Sequence, residues 1–394
     1  MTATTTPTAT LFDPVAEARR IGPLLREHAP QADRDARLPA ASVQALRDGG
    51  FFRLYVPRSL GGTELDPLTY AHAQEELARH DAAAAWALQA AGSSAWWCSR
   101  LPDATVEEIY QDGADQLLAV SFPVPMDATR EDGGFRLSGR RSFASNVSDA
   151  SWVWVTAACP DESVDGTPVT RAVFLPASEV SIVRCWDTVG MRGTDSNDVE
   201  LHGVYVPERR TFRIGIDHTP GPRYDGPLYR GAAMLLVASY VPAVALGIAQ
   251  DAIDEVVAVA EGKTPFSSAT TLRDRGAVQS KLGRAEGALR SARAYLHDRI
   301  AEGWRRTVDG DDLALEDRAE LLLASVQAID ASVGAVDAAF SIAGTTAIHR
   351  GSRLERHLRD IAVLKQQGFV SESRFEMFAQ VRLGLAPELG FVAL

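Results

Sequence analysis

The sequence predicts a mostly helical α+β protein in which a central antiparallel β-domain separates an N-terminal helical domain from a C-terminal four-helix bundle. Apolar residues recur every three or four positions before about residue 116 and after about residue 219, as they do along one face of a helix. Between these regions, short β-branched and aromatic runs alternate with turn residues, which is typical of strands. The 394 residues, 46% of them hydrophobic, are enough to bury the cores of two or three domains.

The N-terminal helical domain is predicted to span residues 11–116. Helical periodicity covers residues 13–29 and 39–47, and a third helix begins at Asp66 and Pro67, where the aspartate can cap the helix and the proline fits its first turn. The alanine-rich segment DAAAAWALQAAGSSAWW predicts another helix. Residues 1–10, MTATTTPTAT, have no apolar stretch, so we expect a disordered tail and not a secretory signal.

The central β-domain is predicted over residues 117–218. Its strand candidates are LLAVSF, GFRLSGRRSFAS, SWVWVTAA, TRAVFLPA, VSIVRCW and DVELHGVYVP. The segment from Glu131 to Gly134, Glu-Asp-Gly-Gly, predicts the turn of a hairpin.

The bundle is predicted over residues 219–394. Long helical periods run from Leu228 to about Glu261, from Leu272 to Trp304, from Leu315 to Ala343 and from Leu354 to about Leu383. Four long amphipathic helices predict an antiparallel bundle.

Composition excludes several classes of function. A net charge of -12 disfavours binding to nucleic acid. The three cysteines are widely spaced and odd in number, which argues against disulfides and against a zinc site, so we expect no metal. The most apolar stretch, residues 232–249, is interrupted by polar residues, so we expect no membrane span and a cytoplasmic protein.

The residues alone do not specify a reaction. The sequence contains no dinucleotide-binding glycine motif opening a helix, no phosphate-binding Walker loop, no HExxH and no GxSxG. The eight histidines form no obvious catalytic group.

Four segments nevertheless resemble, in the right order, the acyl-CoA dehydrogenase superfamily. They are LGGTELDPLTYAHAQEELARHDAAAAWAL, GFRLSGRRSFASNVSDASWVWVTAA, WDTVGMRGTDSNDVELHGVYVPERR and GTTAIHRGSRLERHLRDIAVLKQQGFVSESRFE, and the second resembles the flavin monooxygenase branch in particular. The resemblance implies the acyl-CoA dehydrogenase fold and a homo-oligomer, tetramer or dimer, that binds a flavin between β-domain and bundle.

The resemblance also implies which residues contact the flavin, for which FAD is preferred over FMN. The predicted cofactor residues are Ser121, Phe122, Ser142, Ser145, Asn146, Arg192, Arg275, Gly344, Thr345, Thr346 and Arg353. Backbone and hydroxyl donors along the flavin ring edge suit its redox cycle, and Ser145 is the predicted catalytic hydroxyl. Trp96, Trp97 and Phe122 are predicted to line the substrate pocket.

Two branches of the superfamily are separated by a missing base. An acyl-CoA dehydrogenase needs a carboxylate to remove a carbon-bound proton, and Gly368 occupies the position that resembles the usual site of this glutamate. Glu372 and Glu376 follow within two turns, so a dehydrogenase that desaturates an acyl thioester remains an alternative. A flavin-free paralogue that only binds ligands is a second alternative.

The monooxygenase branch receives reduced flavin from a separate NAD(P)H flavin reductase and protects a flavin C4a-hydroperoxide from water. Members that hydroxylate phenols carry a histidine soon after the Arg-Asp pair, where this sequence has Ala362 and Gln367. Glutamine cannot act as a base near neutral pH. Gln367 is the residue predicted to face the reaction. It therefore favours a small-molecule substrate that is already nucleophilic, either an amine such as an amino sugar or an indole-like ring.

Overall fold

A computed structural model describes residues 12–387 except 165, 217–218, 232 and 267, and describes only the backbone of residues 123, 161, 167 and 234. The predicted disordered tail, residues 1–10, lies outside these residues, as does the predicted domain boundary at residue 218.

The N-terminal region is helical, as predicted. Its helices are α1 (Pro14–Asp35), α2 (Ala40–Asp48), α3 (Pro67–Ala78), α4 (Ala82–Cys98) and α5 (Asp103–Ile109). The Asp66 carboxylate accepts a hydrogen bond from the backbone N–H of Thr69 at 2.9 Å, which confirms the predicted cap of α3. Asp13 caps α1 in the same way.

Within the described residues, seven strands form one open sheet in the order β5-β6-β2-β1-β3-β4-β7. The strands are β1 (Leu118–Glu131), β2 (Gly134–Ala144), β3 (Trp152–Val164), β4 (Thr167–Pro176), β5 (Ser181–Val183), β6 (Asn197–Pro207) and β7 (Thr211–Arg213). The predicted hairpin turn after Glu131 is confirmed, and Gly133 adopts the positive φ of 73° that such a turn requires.

The prediction of a purely antiparallel β-domain is wrong at one pair of strands. β3 runs parallel to β1, with Leu118 opposite Trp152. The end of β2 lies beside the beginning of β1, so residues 145–151 need only cross that end to start β3 on the other side of β1. The Ser151 N–H donates to the Leu117 carbonyl at 2.9 Å and fixes this crossing.

The two faces of the sheet pack against different parts of the protein. Trp152 and Trp154 belong to the core shared with the helices, whereas Val153 and Val155 belong to a separate core on the opposite face. This alternation follows from the two-residue period of a strand. The aromatic face of β3 is therefore directed towards the helices.

The C-terminal region contains the bundle. Its helices are α6 (Pro227–Arg230), α7 (Ala233–Gly262), α8 (Gly276–Asp309), α9 (Leu315–Ala343), α10 (Arg353–Leu364) and α11 (Ser373–Arg382). The prediction of one continuous last helix is wrong, because the chain turns between α10 and α11. At this turn the Gln367 side chain accepts a hydrogen bond from the Phe369 N–H at 2.6 Å, a local bond that competes with helical hydrogen bonding.

Helix α7 passes through the centre of the protein despite an internal proline. Pro242 removes the N–H that would bond the Ala238 carbonyl, and the Ser325 hydroxyl of α9 donates to that carbonyl at 2.7 Å instead. Two segments, Leu235–Gly262 and Leu315–Thr346, have the length and apolar composition of a membrane span, but 89% and 61% of their most apolar windows is buried inside the protein.

Candidate functional site

A cavity lies where α4, β1, β3 and α7 meet the turn that follows α10. Its empty volume, including the open mouth, is about 670 Å³. The lining residues are Gln89, Ser93, Trp97, Val120, Phe122, Trp154, Ala233, Val237, Tyr240, Val241, Gln367 and Phe369. None of these twelve side chains carries a formal charge, and most are apolar. The cavity therefore suits a mainly apolar ligand with a few polar atoms.

The spacing of the lining residues follows the geometry of the elements that carry them. Gln89, Ser93 and Trp97 lie four residues apart on α4 and share one face of the helix. Val120 and Phe122 lie two residues apart on β1 and share one face of the strand. Gln89 and Ser93 were not among the predicted site residues, although their helical spacing from Trp97 is visible in the sequence.

One wall of the cavity is aromatic. The Phe122 ring centroid lies 6.0 Å from that of Trp154 and 6.4 Å from that of Phe369. Trp97 extends the wall at 6.1 Å from Trp154. Two of the predicted substrate residues, Trp97 and Phe122, thus meet at one cavity.

The third predicted substrate residue has a different environment. Trp96 is only 2% exposed, and its indole N–H donates to the Leu228 carbonyl at 2.9 Å. Trp96 therefore anchors α4 against the bundle, and it is not among the residues that line the cavity.

Gln367 faces the cavity with a defined polarity. Its Oε1 accepts the hydrogen bond from the Phe369 N–H, and its amide nitrogen can donate a hydrogen bond to a ligand. An amide N–H₂ donates hydrogen bonds and does not remove protons. Ala362, the other position at which a base was sought, is exposed and does not line the cavity.

The predicted flavin residues between β2 and β3 surround an irregular piece of strand. The β2–β6 register shifts between Arg141 and Ala144, and Phe143 there has a φ of 68°, which is strained for a residue with a side chain. The Ser121 hydroxyl donates to the Ser142 carbonyl at 2.7 Å and supports this irregularity from β1. Phe143 is consequently 58% exposed.

The hydroxyl of Ser145 is held inside the protein. It accepts a hydrogen bond from the Trp86 indole N–H at 3.0 Å and shares another with the Ser196 hydroxyl at 2.8 Å. Ser145 does not line the cavity, and its catalytic role stays a prediction. The neighbouring Asn146 is buried, and its Nδ2 has no hydrogen-bond partner among the described residues.

Asn146 and Phe143 together fit a flavin. A flavin ring offers hydrogen-bond acceptors along its edge and a flat aromatic face, and this loop supplies an unsatisfied buried donor at Asn146, three residues after the exposed ring of Phe143. If a flavin binds here, Asn146 and the Ser142–Ser145 segment would hold its edge, and the group would supply the redox chemistry that the side chains of this protein lack.

Arg192 belongs to a segment that is docked against the helices. Its guanidinium donates to the Asp33 carbonyl at 2.7 Å and to the Thr188 carbonyl at 2.9 Å. The preceding Met191 N–H donates to the Asp360 carboxylate of α10 at 2.6 Å. Burial raises the pKa of Asp360 to about 6. Arg192 therefore positions the segment, and its predicted contact with the flavin is not tested by these bonds.

The remaining predicted cofactor residues lie at one end of the bundle. Gly344, Thr345 and Thr346 form an exposed turn, and the Lys263 ammonium donates to the Thr346 hydroxyl at 2.8 Å. Arg353 is not a free cation, because its guanidinium pairs with Asp251 and with Glu255.

Arg275 is exposed at the start of α8, away from the cavity lining. The structure thus does not bring the predicted cofactor residues of the C-terminal region together at the cavity.

Comparison with known proteins agrees with this architecture. Residues 21–100 match the model of the acyl-CoA dehydrogenase N-terminal domain, and residues 239–372 match that of the acyl-CoA dehydrogenase C-terminal domain. Indole-3-acetate monooxygenase of Pseudomonas putida is 30% identical over 97% of this chain and 94% of the relative. The oxygenase component of the FADH(2)-dependent resorcinol hydroxylase of Rhizobium sp. is 31% identical over 95% of each protein.

This chain belongs to the flavin-dependent monooxygenases of the acyl-CoA dehydrogenase superfamily.

The solved structure of XiaF from Streptomyces sp., in complex with FADH2 and glycerol, agrees with this assignment. It matches with a TM-score of 0.90 and 25% identity over 95% of this chain and 96% of XiaF. The predicted fold class and the predicted family are therefore confirmed.

As a flavin-dependent monooxygenase, the protein needs no carboxylate base over an acyl thioester. Glu372 and Glu376, the two candidates for such a base, are exposed and do not line the cavity. The residues that line the cavity from this segment are the neutral Gln367 and Phe369. This arrangement agrees with oxygenation and leaves the dehydrogenase alternative without a positioned base.

Proposed function

We propose that the protein is the oxygenase component of a two-component system and that it oxygenates an indole-like aromatic substrate. A separate NAD(P)H-dependent flavin reductase supplies the reduced flavin, with FAD preferred over FMN. The observation that carries the choice of substrate is the aromatic wall of Trp97, Phe122, Trp154 and Phe369 around an uncharged cavity. Aromatic ligands gain both apolar burial and edge-to-face contacts from such a wall.

An amino sugar is a weaker candidate than an indole-like ring. A sugar presents several hydroxyl groups, each of which loses stability if it is buried without a partner. The polar side chains of the cavity are few, and the Trp154 indole N–H is already bonded to the Ser94 hydroxyl at 2.9 Å. The cavity thus favours the aromatic member of the two predicted substrate classes.

The absence of a base favours a substrate that needs no deprotonation. An indole ring is electron-rich at carbon and can attack an electrophilic oxygen directly. The protein contributes orientation along the aromatic wall, exclusion of water by the apolar lining, and a hydrogen-bond donor at Gln367.

Support for a separate reductase comes from the relatives. The resorcinol hydroxylase relative is named as an oxygenase component that depends on FADH2, and XiaF was solved with FADH2. These names favour reduced FAD delivered by diffusion. The homo-oligomer and the cytoplasmic location stay predictions.

Replacing Gln367 by histidine tests the base argument. Because an imidazole accepts a proton near neutral pH and glutamine does not, we expect Gln367→His to raise kcat/KM for a phenol by about tenfold or more while the value for an indole changes little. The measurement is initial rates with photochemically reduced FAD, with Ala362→His as the control at the exposed position. Equal effects on phenol and indole would contradict the argument.

Turnover of a small substrate panel tests the proposed function itself. Indole, a phenol and an amino sugar are each mixed with the protein, reduced FAD and oxygen, and the products are identified by mass spectrometry. We expect the highest kcat/KM with indole and no product when oxidised FAD replaces reduced FAD. Exclusive turnover of the amino sugar would overturn the assignment.

A further inference from the structure

Arg100 lies just beyond the cavity-lining face of α4. It follows Gln89 by eleven residues, which is about three helical turns, and it follows Trp97 by three. The backbone continues the helical turn there, because the Arg100 N–H donates to the Trp97 carbonyl at 3.2 Å. We infer that Arg100 binds the carboxylate of an acidic aromatic substrate whose ring occupies the cavity, an inference that rests on the proposed function.

Arg100 is partly buried without a carboxylate partner. Two other partly buried arginines are paired with carboxylates, Arg293 with Glu75 at 2.7 Å and Arg210 with Glu108 and Glu179. Within the described part of the chain, no carboxylate oxygen lies within 4.0 Å of the Arg100 guanidinium. Its only described side-chain hydrogen bond goes to the Ser99 hydroxyl, and its Nε has no partner there.

The charge on Arg100 is incompletely compensated. Burial lowers the pKa of Arg100 to about 10, which means that burial disfavours the cation. The guanidinium stacks on Trp96 at 3.7 Å from the ring centroid, and this contact stabilises the cation. It lies 6.0 Å from the ring of Trp97, the last cavity residue on α4. Arg100 does not itself line the cavity, so a ligand would reach this cation with a group that extends past Trp97.

Tyr224 supplies a second unused donor next to Arg100. Its hydroxyl belongs to a side chain that is 2% exposed, and it has no hydrogen-bond partner among the described residues. Asp103, whose charge acts on Tyr224, faces Arg223 at 3.8 Å. The Nε of Arg100 and the hydroxyl of Tyr224 both lack an acceptor among the described residues, and a carboxylate can accept from both.

The experiment compares an indole that bears a carboxymethyl side chain with its methyl ester, which keeps the ring and removes the charge. Arg100→Met removes the cation and keeps an apolar chain against Trp96. We expect the Kd and KM of the Arg100→Met variant for the acid to rise about tenfold or more, while its values for the ester stay unchanged. Arg100→Lys, which keeps a charge, is expected to retain most of the preference for the acid. Binding is followed by tryptophan fluorescence and turnover by product formation with reduced FAD.

Arg47→Met is the matched control, because Arg47 also lies over an aromatic ring, that of Phe52 at 5.7 Å, but not at the cavity. Arg47→Met is expected to change the Kd and KM of neither the acid nor the ester. If Arg100→Met weakens binding of the acid and the ester equally, or does not weaken binding of the acid, the role of Arg100 is overturned. If the acid binds in an Arg100-dependent manner and no indole is oxygenated, the proposed function fails and the carboxylate site stands.

Discussion

Replacing Asp251 by alanine is expected to lower the free energy of unfolding by about 3 to 5 kcal/mol. The Asp251 carboxylate is 3% exposed and receives hydrogen bonds from Arg26 at 2.8 Å, from His357 at 2.7 Å and from Arg353. Removing it leaves Arg26 of α1, and Arg353 and His357 of α10, without this carboxylate. Chemical denaturation monitored by circular dichroism measures the loss.

Asp254→Ala is the control, because Asp254 lies one turn further along α7, is 45% exposed and pairs with Arg79 at 2.8 Å. The Asp254→Ala variant should lose no more than about 1 kcal/mol of unfolding free energy. Burial raises the pKa of Asp251, but the bonds from His357 and Arg353 more than offset this and hold the pKa well below its usual range. Its contribution is therefore present above about pH 4, the pKa of an unfolded aspartate, and is lost as the pH falls. Equal losses in the two variants would contradict this view of the network.

Replacing Gly190 by alanine is expected to lower the free energy of unfolding by about 3 kcal/mol and to loosen the segment that holds Met191 and Arg192. A Cβ at Gly190 would lie 2.2 Å from the Arg359 carbonyl oxygen and 2.3 Å from its carbon. These are backbone atoms of α10 and cannot rotate away as a side chain would. Thermal unfolding measures the loss of stability, and the fluorescence of added FAD measures the effect on flavin binding.

Gly283→Ala is the control for the glycine substitution. Gly283 lies inside α8, and a Cβ there would meet nothing within 4 Å. Alanine should stabilise the helix by up to about 1 kcal/mol. A Gly190→Ala protein as stable as Gly283→Ala would show that the segment does not depend on close contact with α10.

The sequence predicts much of this fold because its elements depend on local signals. The caps at Asp13 and Asp66 and the turn before Gly134 are where the residue types require them. The parallel pairing of β1 with β3 was missed, since strand composition does not encode which neighbour a strand chooses. The break between α10 and α11 was missed as well, because it depends on the hydrogen bond that the Phe369 N–H donates to the Gln367 side chain.

The site is less predictable than the fold, because its residues meet only through tertiary packing. Trp96 and Trp97 are adjacent and look equivalent in sequence, yet one bonds to Leu228 and the other lines the cavity. Arg353 was predicted to contact the flavin, and only the fold reveals Asp251 beside it. Gln367 was singled out from its position after the Arg-Asp pair, and it does reach the cavity.

Isotope labelling tests the proposed oxygenation most directly. The protein is mixed with indole, FADH2 from an unrelated reductase and ¹⁸O₂, and the mass of the product is measured by mass spectrometry. With ¹⁸O₂ we predict one ¹⁸O atom per product molecule. With ¹⁶O₂ in H₂¹⁸O we predict no label, provided that the oxygen of the product does not exchange with water. No oxygenated aromatic product, together with oxidised FAD that an acyl-CoA thioester reduces in the absence of oxygen, would contradict the proposal and establish a dehydrogenase.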